Sequence, residues 1–539
     1  MVDNPSSPLS AQEKLSELLT RQQNWLALKP RVTEELVIEG STSVYEMQEG
    51  MFLWCPRERP EKLAEEVQLW GLPMGEPGLR KRVDMAFRGT GRGILDVHLD
   101  PTQDLLILSE ALPSSRYHDR PTPPSSTSRD PTPLQKYTFL TLSTLQPHPL
   151  APPNSKETPL LGPPLFPLNT IVSQLLQVYG DVFAVLTIPV EVRSGRIYNQ
   201  ELNVWNWKTG EHLCQYRLPL SLCQASFALL TATEFMITLH RPDDDPTAEI
   251  YTFDRSALPT ASKNPSLYPV PMAQFRLLPL EEDVQVDLDM RPDPPFPTAQ
   301  GHAGNDLGPS KPFGDNPEEG VLVFNMTVMT ATADDFTHVV IVASKAGMLE
   351  LARRRYSSCL DRAEEYYLGQ GVLIGNEDYD LRRDLTLEWE LWGSVYTRIF
   401  EDNTLGVNWV CFVHGYRYAR LCRRSDEPVQ RPRLGPYQIE VLDFSPNATF
   451  SFRERDHTNG PVCELEDGTQ QTLVSRLSIL NNPFLFRKTI MSSLPYVVTT
   501  TGKKYLTEGV MIGDSSLIIS RAEGYGDGQI RQTLTVLAM

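Results

Sequence analysis

The residues whose types and spacing could do chemistry are few in this chain. Gly89-Thr90-Gly91-Arg92-Gly93 sets three glycines at alternate positions, and the backbone N–H groups of such a run can face a phosphate. It matches neither GxGxxG nor GxxxxGKS and leads into a strand, so a flexible entry loop is the plainer reading. Gly513-Asp514-Ser515 offers a serine that an acyl-transfer enzyme could use as nucleophile. Such blocks stand near the start of an α/β domain, whereas this one precedes Leu517-Ile518-Ile519 close to the C-terminus, where a hairpin-like turn is expected. Asp287 and Asp289 alternate, which puts both carboxylates on one strand face, as an acid/base pair or a metal site would require. No histidine, third carboxylate and glycine complete an EF-hand or zinc set there, and a solvated strand face is expected. Asp243-Asp244-Asp245, between Pro242 and Pro246, reads as a charged loop tip. The nine histidines form no HxxxH or HExxH. No catalytic group, metal or cofactor is therefore expected.

The cysteines, Cys55, Cys214, Cys223, Cys359, Cys411, Cys422 and Cys463, are odd in number and contain no CxxC pair, so neither a zinc ribbon nor a disulfide framework is signalled. The N-terminal stretch has no basic and then apolar leader pattern, and the longest uncharged interval, Thr158 to Gly180, is broken by four prolines. A reduced protein of the cytoplasm or nucleus is expected, with no membrane span. The sequons at Asn325 and Asn447 then stay unglycosylated. Net charge is −18, from 50 Lys and Arg against 68 Asp and Glu, which disfavours nucleic acid and anionic membranes as partners. The short basic runs Arg80-Lys81-Arg82, Arg353-Arg354-Arg355 and Arg423-Arg424 read as solvated charges or as counter-charges for an acidic partner segment.

The elements that must position these residues are mostly strands. Ser10-Ala11-Gln12-Glu13 has the form of a capping box and opens one helix, which Pro30 stops. Short β-type runs follow from Leu36. They include Ile94–Leu99 with Leu105–Leu108, Val178–Val192 with Glu201–Trp207, Phe235–Leu239 with Ile250–Phe253, Val321–Phe324 with Val339–Val342, and Leu387–Trp392 with Trp409–Val413. Gln438–Phe444, Tyr496–Val498 and Leu517–Ser520 complete the series. Of 45 prolines, 14 lie between Pro113 and Pro167, and a second Pro-, Gly- and Asp-rich stretch covers 291–319. Strand-like sequence resumes after each, so both read as long disordered insertions in one domain. The organisation expected is a helical lead-in over 1–35 and an all-β domain over 36–539. Length alone would suggest three or four domains.

Many short strands, each group too small to bury its own core, close most economically as a β-propeller, here of about seven blades. Leu202-Asn203-Val204-Trp205-Asn206-Trp207-Lys208-Thr209-Gly210 resembles the third-strand end and turn of a WD repeat, with Asn206 where Asp is usual. Val441–Asn447 and Val97–Gln103 are similar to the first strand and turn of such a repeat. With the segment Leu9–Leu15 and Asn24-Trp25-Leu26-Ala27-Leu28, the chain resembles the fungal F-box proteins whose F-box precedes a divergent WD-like propeller. No Leu-Pro-x-Glu run precedes the helix, so the F-box itself is expected to be missing, through divergence, truncation or an incomplete gene model. The resemblance implies a noncatalytic, protein-binding substrate receptor, with a ubiquitin-ligase adaptor as partner only if an F-box is encoded upstream. A general scaffold propeller is the alternative. Trp205, Trp207, Arg353, Arg354 and Arg355 are the first candidates for partner contact, because aromatics and arginine supply most binding energy. Burial in the core is the competing reading for both tryptophans.

Overall fold

The computed structural model describes all residues except 1, 4–8, 41–43, 58–62, 74–79, 87–92, 112–134, 153–169, 192–196, 198–199, 219–224, 242–243, 255–266, 283, 293–312, 315, 317, 331–335, 371–383, 402–410, 423–434, 456–461, 466 and 525–529. The described strands build a ring of antiparallel sheets, a β-propeller, with six sheets of four or more strands and one of three. From the axis outward, sheet I contains Tyr45–Gln48, Met51–Trp54, Glu66–Gly71 and Arg80–Ala86. Sheet II contains Gly93–Asp100, Leu105–Ala111 and Gln135–Thr141, and sheet III contains Thr170–Tyr179, Val182–Glu191, Glu201–Asn206 and His212–Arg217. Sheet IV runs Phe227–Leu229, Glu234–Leu239, Thr247–Thr252 and Val270–Arg276, with Thr386–Leu387 added in parallel. Sheet V runs Val284–Pro292, Val321–Thr330, Phe336–Ser344 and Thr397–Glu401. Sheet VI runs Val413–His414, Arg417–Cys422, Gly435–Asp443 and Tyr496–Thr500, with Gln470–Val474 and Val462–Glu464 beyond. Sheet VII joins Gly509–Ile512, Ser516–Gly524 and Ile530–Ala538 to the early strand Val32–Glu39.

The strands read as continuous apolar runs because both faces of each sheet are buried. In Val182–Glu191, Phe183 and Val185 pack toward sheet II, while Ala184, Leu186 and Ile188 pack toward sheet IV. Leu106 and Leu108 face sheet I, and Leu105 and Ile107 face sheet III. The alternation repeats at Val321 and Val323 against Leu322 and Phe324. The circle is completed where Leu36, Ile38, Leu534 and Val536 of sheet VII meet Met47, Phe52 and Trp54 of sheet I.

Among the described residues the innermost strands leave one edge unpaired, and side chains of the preceding sheet cover part of it. Glu46 accepts the Leu99 N–H (2.8 Å), Gln177 accepts the Leu229 N–H (2.7 Å) and donates to the Phe227 carbonyl (3.2 Å), and Ser226 Oγ accepts the Met290 N–H (2.8 Å). The tight turn between the first two strands of sheet I uses Glu49 and Gly50, both at positive φ (48° and 73°), as a two-residue hairpin favours.

Four helices decorate the ring among the described residues: α1 (Ala11–Ala27), α2 (Lys345–Gln370), α3 (Trp389–Tyr396) and α4 (Pro446–Arg455). The capping box of α1 forms as its sequence predicts: Ser10 Oγ accepts the Glu13 N–H, and Glu13 accepts the Ser10 N–H at 2.8 Å. Trp25 and Leu28 dock α1 into the core between sheets VI and VII. The start of α2 inserts Met348, Leu349 and Ala352 between sheets IV and V, and Gly347 lets it approach α3, where a Cβ would run into the Tyr396 ring.

Several expectations need correction. The lead-in over 1–35 overruns the ring, because Val32–Glu39 is a strand of sheet VII. The 113–167 insertion contains the third strand of sheet II, whose Tyr137 and Phe139 are core residues; 112–134 and 153–169 lie outside the described residues. The 291–319 insertion begins too early, since Arg291 and Pro292 still pair with Val323 and Leu322. Leu387–Trp392 is not a strand beyond Leu387: Trp389 and Trp392, three residues apart, share the buried side of α3. Of the glycine run, 89–92 lie outside the described residues.

Closure predicts a sharp contrast within one strand. Ile38→Ala should lower the free energy of unfolding by about 2–5 kcal/mol, as expected for a buried isoleucine. Val37→Thr, one residue away on the exposed face, should stay within about 0.5 kcal/mol. Urea unfolding of both variants checks this, and equal effects would contradict the closed ring.

Candidate functional site

The candidate contact residues do not form one site. Trp205 and Trp207 lie in the core between sheets II and III, and Trp207 is 1% exposed. Trp207 stacks on Phe139 and donates from Nε1 to the Gly180 carbonyl (2.9 Å). Asn206 closes the turn that follows, its Oδ1 accepting the Lys208 and Thr209 N–H groups at 3.0 Å each. Burial therefore assigns this tryptophan pair to packing. Arg353 is held by Glu234 (Nη2–Oε2 2.7 Å, Nε–Oε1 3.0 Å) and by Glu318 (3.1 Å), which ties α2 to the first hairpin of sheet IV. Arg354 pairs with Glu350 one turn earlier, and Arg355 is half-buried.

Of the other chemical candidates, Asp514, Asp245 and Asp289 are also occupied. Asp514 accepts from Arg21 and, through its carbonyl, from Trp25 Nε1 (3.2 Å), so Gly513-Asp514-Ser515 is the hairpin on which α1 docks. Asp245 is not a solvated tip: it is nearly buried, accepts the Leu280 N–H (3.0 Å) and pairs with Arg487. Asp287 is exposed on the innermost strand of sheet V, and Asp289 pairs with Arg291 at 2.8 Å.

A polar cluster lines the inner strands of sheets I and II. Glu46 Oε1 meets His98 Nδ1 at 2.8 Å and also accepts from Gln48 Nε2. Burial pushes the Asp96 carboxyl up to about 7, and the neighbouring Glu46 charge adds to the rise. For His98 burial opposes charging, but Glu46, Asp100 and Asp96 together outweigh it and raise its pKa. Among the described residues no group of three or more His, Cys, Asp or Glu could hold a metal ion.

The surface feature that sequence reasoning missed is a strap. After Gln470–Val474 the chain leaves sheet VI, crosses to sheets IV and V, and returns at Tyr496. Leu485, Phe486 and Ile490 insert into the core between sheets IV and V. Arg487 N–H donates to the Pro279 carbonyl (3.0 Å), and Leu494 N–H donates to the Thr397 carbonyl (2.9 Å). Beneath the strap Arg398 is 0% exposed and has no carboxylate partner among the described residues. It donates to the carbonyls of Leu494 (2.8 Å) and Arg476 (2.8 Å) and to Ser478 Oγ (2.6 Å), and stacks over Tyr496. Burial draws its pKa below the ordinary arginine value.

With these groups turned inward, the strap shows its apolar residues to solvent. Ser478–Leu480 pairs antiparallel with Ile490–Ser492, and Ile479 stands opposite Met491. Leu477, Ile479 and Met491 are exposed, and Phe484 is 80% exposed. Alongside, α3 presents Leu391 and Val395, four residues apart and both exposed. The helix is fastened to the strap by Lys488–Glu390 (2.6 Å) and by Ser493 Oγ donating to the Ser394 carbonyl (2.8 Å). The signal was present in Leu477-Ser478-Ile479-Leu480-Asn481-Asn482-Pro483-Phe484-Leu485-Phe486, where apolar residues occupy both phases of the alternation.

Two outcomes follow. Arg398→Ala leaves three acceptors without their charged donor, so stability should fall by about 2–4 kcal/mol and limited proteolysis should cut within 476–494; an unchanged digestion pattern would contradict the anchoring. The raised pKa of Asp96 means that the folded state holds its proton more tightly, a contribution present below about pH 4 and lost as pH rises to about 7. Asp96→Asn should therefore lose less stability than the parent between pH 4 and pH 8, by on the order of 1–3 kcal/mol, in urea unfolding at each pH. Parallel pH profiles would sink this assignment.

No protein-family model matches the chain, and no curated protein matches it. Among solved structures it is similar to prolyl oligopeptidase B from Galerina marginata, in the apo form, at 13% identity and a TM-score of 0.22. The match covers 57% of this chain and 31% of that one, and a likeness of this degree assigns no activity.

Proposed function

We propose that the protein is a noncatalytic interaction module that holds a partner protein on the strap and α3 surface. The observation that carries this reading is the apolar face of Leu391, Val395, Leu477, Ile479, Phe484 and Met491. Exposed apolar side chains on two elements fastened to each other, as the strap and α3 are by Lys488–Glu390 and Ser493–Ser394, cost solubility, and on a folded protein such surface marks an interaction site. The face is preorganised, so little conformational freedom is lost when a partner docks.

The more specific form of the proposal is a substrate receptor resembling the propeller portion of an F-box protein, working in the cytoplasm or nucleus. Its support lies in α1. The helix is fixed to the ring by Trp25 and Arg21, yet Leu15 and Leu19 remain exposed four residues apart, a strip against which a preceding helical module would pack. A scaffold without any link to ubiquitin is the competing form.

Cross-linking in cells with the parent chain and with the Ile479→Ser, Phe484→Ser double variant tests the module. The expected result is a discrete partner lost by a variant whose unfolding midpoint is unchanged; an identical partner set would overturn the assignment to this face. Expression together with any in-frame upstream coding sequence tests the receptor form, and failure to co-purify an adaptor and cullin would leave only the scaffold.

A further inference from the structure

The strap identifies the kind of segment that would cover it, an inference that rests on the interaction-module reading above. Strand Ser478–Leu480 pairs along one edge with Ile490–Ser492, and among the described residues no strand occupies its other edge. Ser478 and Leu480 turn inward, toward Arg398 and the core, while Leu477 and Ile479 turn outward. An open edge with alternate apolar residues on its solvent face is the template for strand addition. Backbone pairing supplies attachment, and alternate side chains of the incoming strand meet the exposed apolar ones.

Charge narrows the occupant further. The chain carries −18 overall, but charges farther than about 8–10 Å from the strap are screened, so the local groups decide what docks there. Around the strap the local balance is different. Arg476 is exposed at the start of the edge strand with no ion pair among the described residues, while Arg487 and Lys488 already hold Asp245 and Glu390. An approaching acidic residue therefore finds a cation at the edge and no uncovered carboxylate among these pairs.

We propose that the strap binds an extended segment of a partner protein that adds as a strand to the Ser478–Leu480 edge, with alternating apolar residues and acidic flanks. Fluorescence polarisation with the full chain and three labelled peptides tests it. The first is Asp-Glu-Val-Thr-Val-Thr-Val-Glu-Asp, the second replaces its four acidic residues by Lys, and the third replaces its central Val by Pro. The first should bind and the other two should bind at least about tenfold more weakly, since Pro removes a ladder donor and Lys faces Arg476. Ile479→Ser should weaken the first peptide about tenfold, and Arg476→Glu should reverse the preference between the acidic and basic peptides.

Equal binding of all three peptides, or no binding of the first, overturns the proposal. So does a dimer seen by sedimentation that disappears in Ile479→Ser, which would make a second copy the occupant. If the peptides fail while partner capture in cells still depends on Ile479 and Phe484, the strand-addition proposal falls and the module reading stands. If capture is also indifferent to those residues, both fall.

Discussion

The pairing of Val32–Glu39 with Ile530–Ala538 is the constraint on which the structure depends. It runs in unbroken register from Val32 opposite Ala538 to Glu39 opposite Arg531. Each sheet buries both faces, so no sheet is stable unless it has a neighbour on each side, and an open series would leave two apolar faces in water. The early strand removes that problem: Leu36 and Ile38 bring sheet VII against Met47, Phe52 and Trp54 of sheet I. Once the ring is closed, every other feature is a matter of finishing its edges. Towards the axis, Glu46, Gln177 and Ser226 satisfy inner-strand backbone groups from the adjacent sheet. At the periphery, helices and the strap do comparable work.

What could be read from the sequence follows from this division. Hairpins whose strands are adjacent in the chain, such as Ile94–Leu99 with Leu105–Leu108, were legible because a turn sits between two apolar runs and pairing is local. The capping box of α1 was legible for the same reason, since its hydrogen bonds span three residues. Closure was not, because nothing local distinguishes Leu36-Val37-Ile38 as the partner of a strand some 500 residues later. The helix α3 is not legible as one because its two tryptophans suit a strand by propensity, and the tertiary fit of Trp389 and Trp392 decides otherwise. Proline count misled in the opposite direction: the stretch from Pro113 to Pro167 holds the strand Gln135–Thr141, which is fixed by long-range packing against Phe183 and Trp205.

The residues selected by type, Trp205, Trp207 and Arg353, were those most able to make strong interactions, and the fold had already used them internally. A large aromatic in a repeat turn is worth most when buried, and an arginine beside two carboxylates is already satisfied. The surface left for a partner consists of less conspicuous residues, Ile479, Met491, Leu391 and Phe484, whose exposure depends on which way the strap faces. Orientation of that kind is a property of packing, with no signature in residue type.

Arg398 explains why the strap faces outward as it does. A guanidinium without a carboxylate partner is costly to bury, and it is tolerated here because carbonyls from Leu494 and Arg476 and the Ser478 hydroxyl converge on it. Those three acceptors lie at the two ends of the excursion, so the same interaction fixes both its departure and its return. Rotating Ser478–Leu480 by one residue would turn Ser478 away from Arg398 and put Ile479 in its place, leaving the charge short of an acceptor and a hydrophobic side chain against it. The apolar face is thus specified by a polar contact beneath it. A partner arriving there meets a surface whose register is already set by the ring.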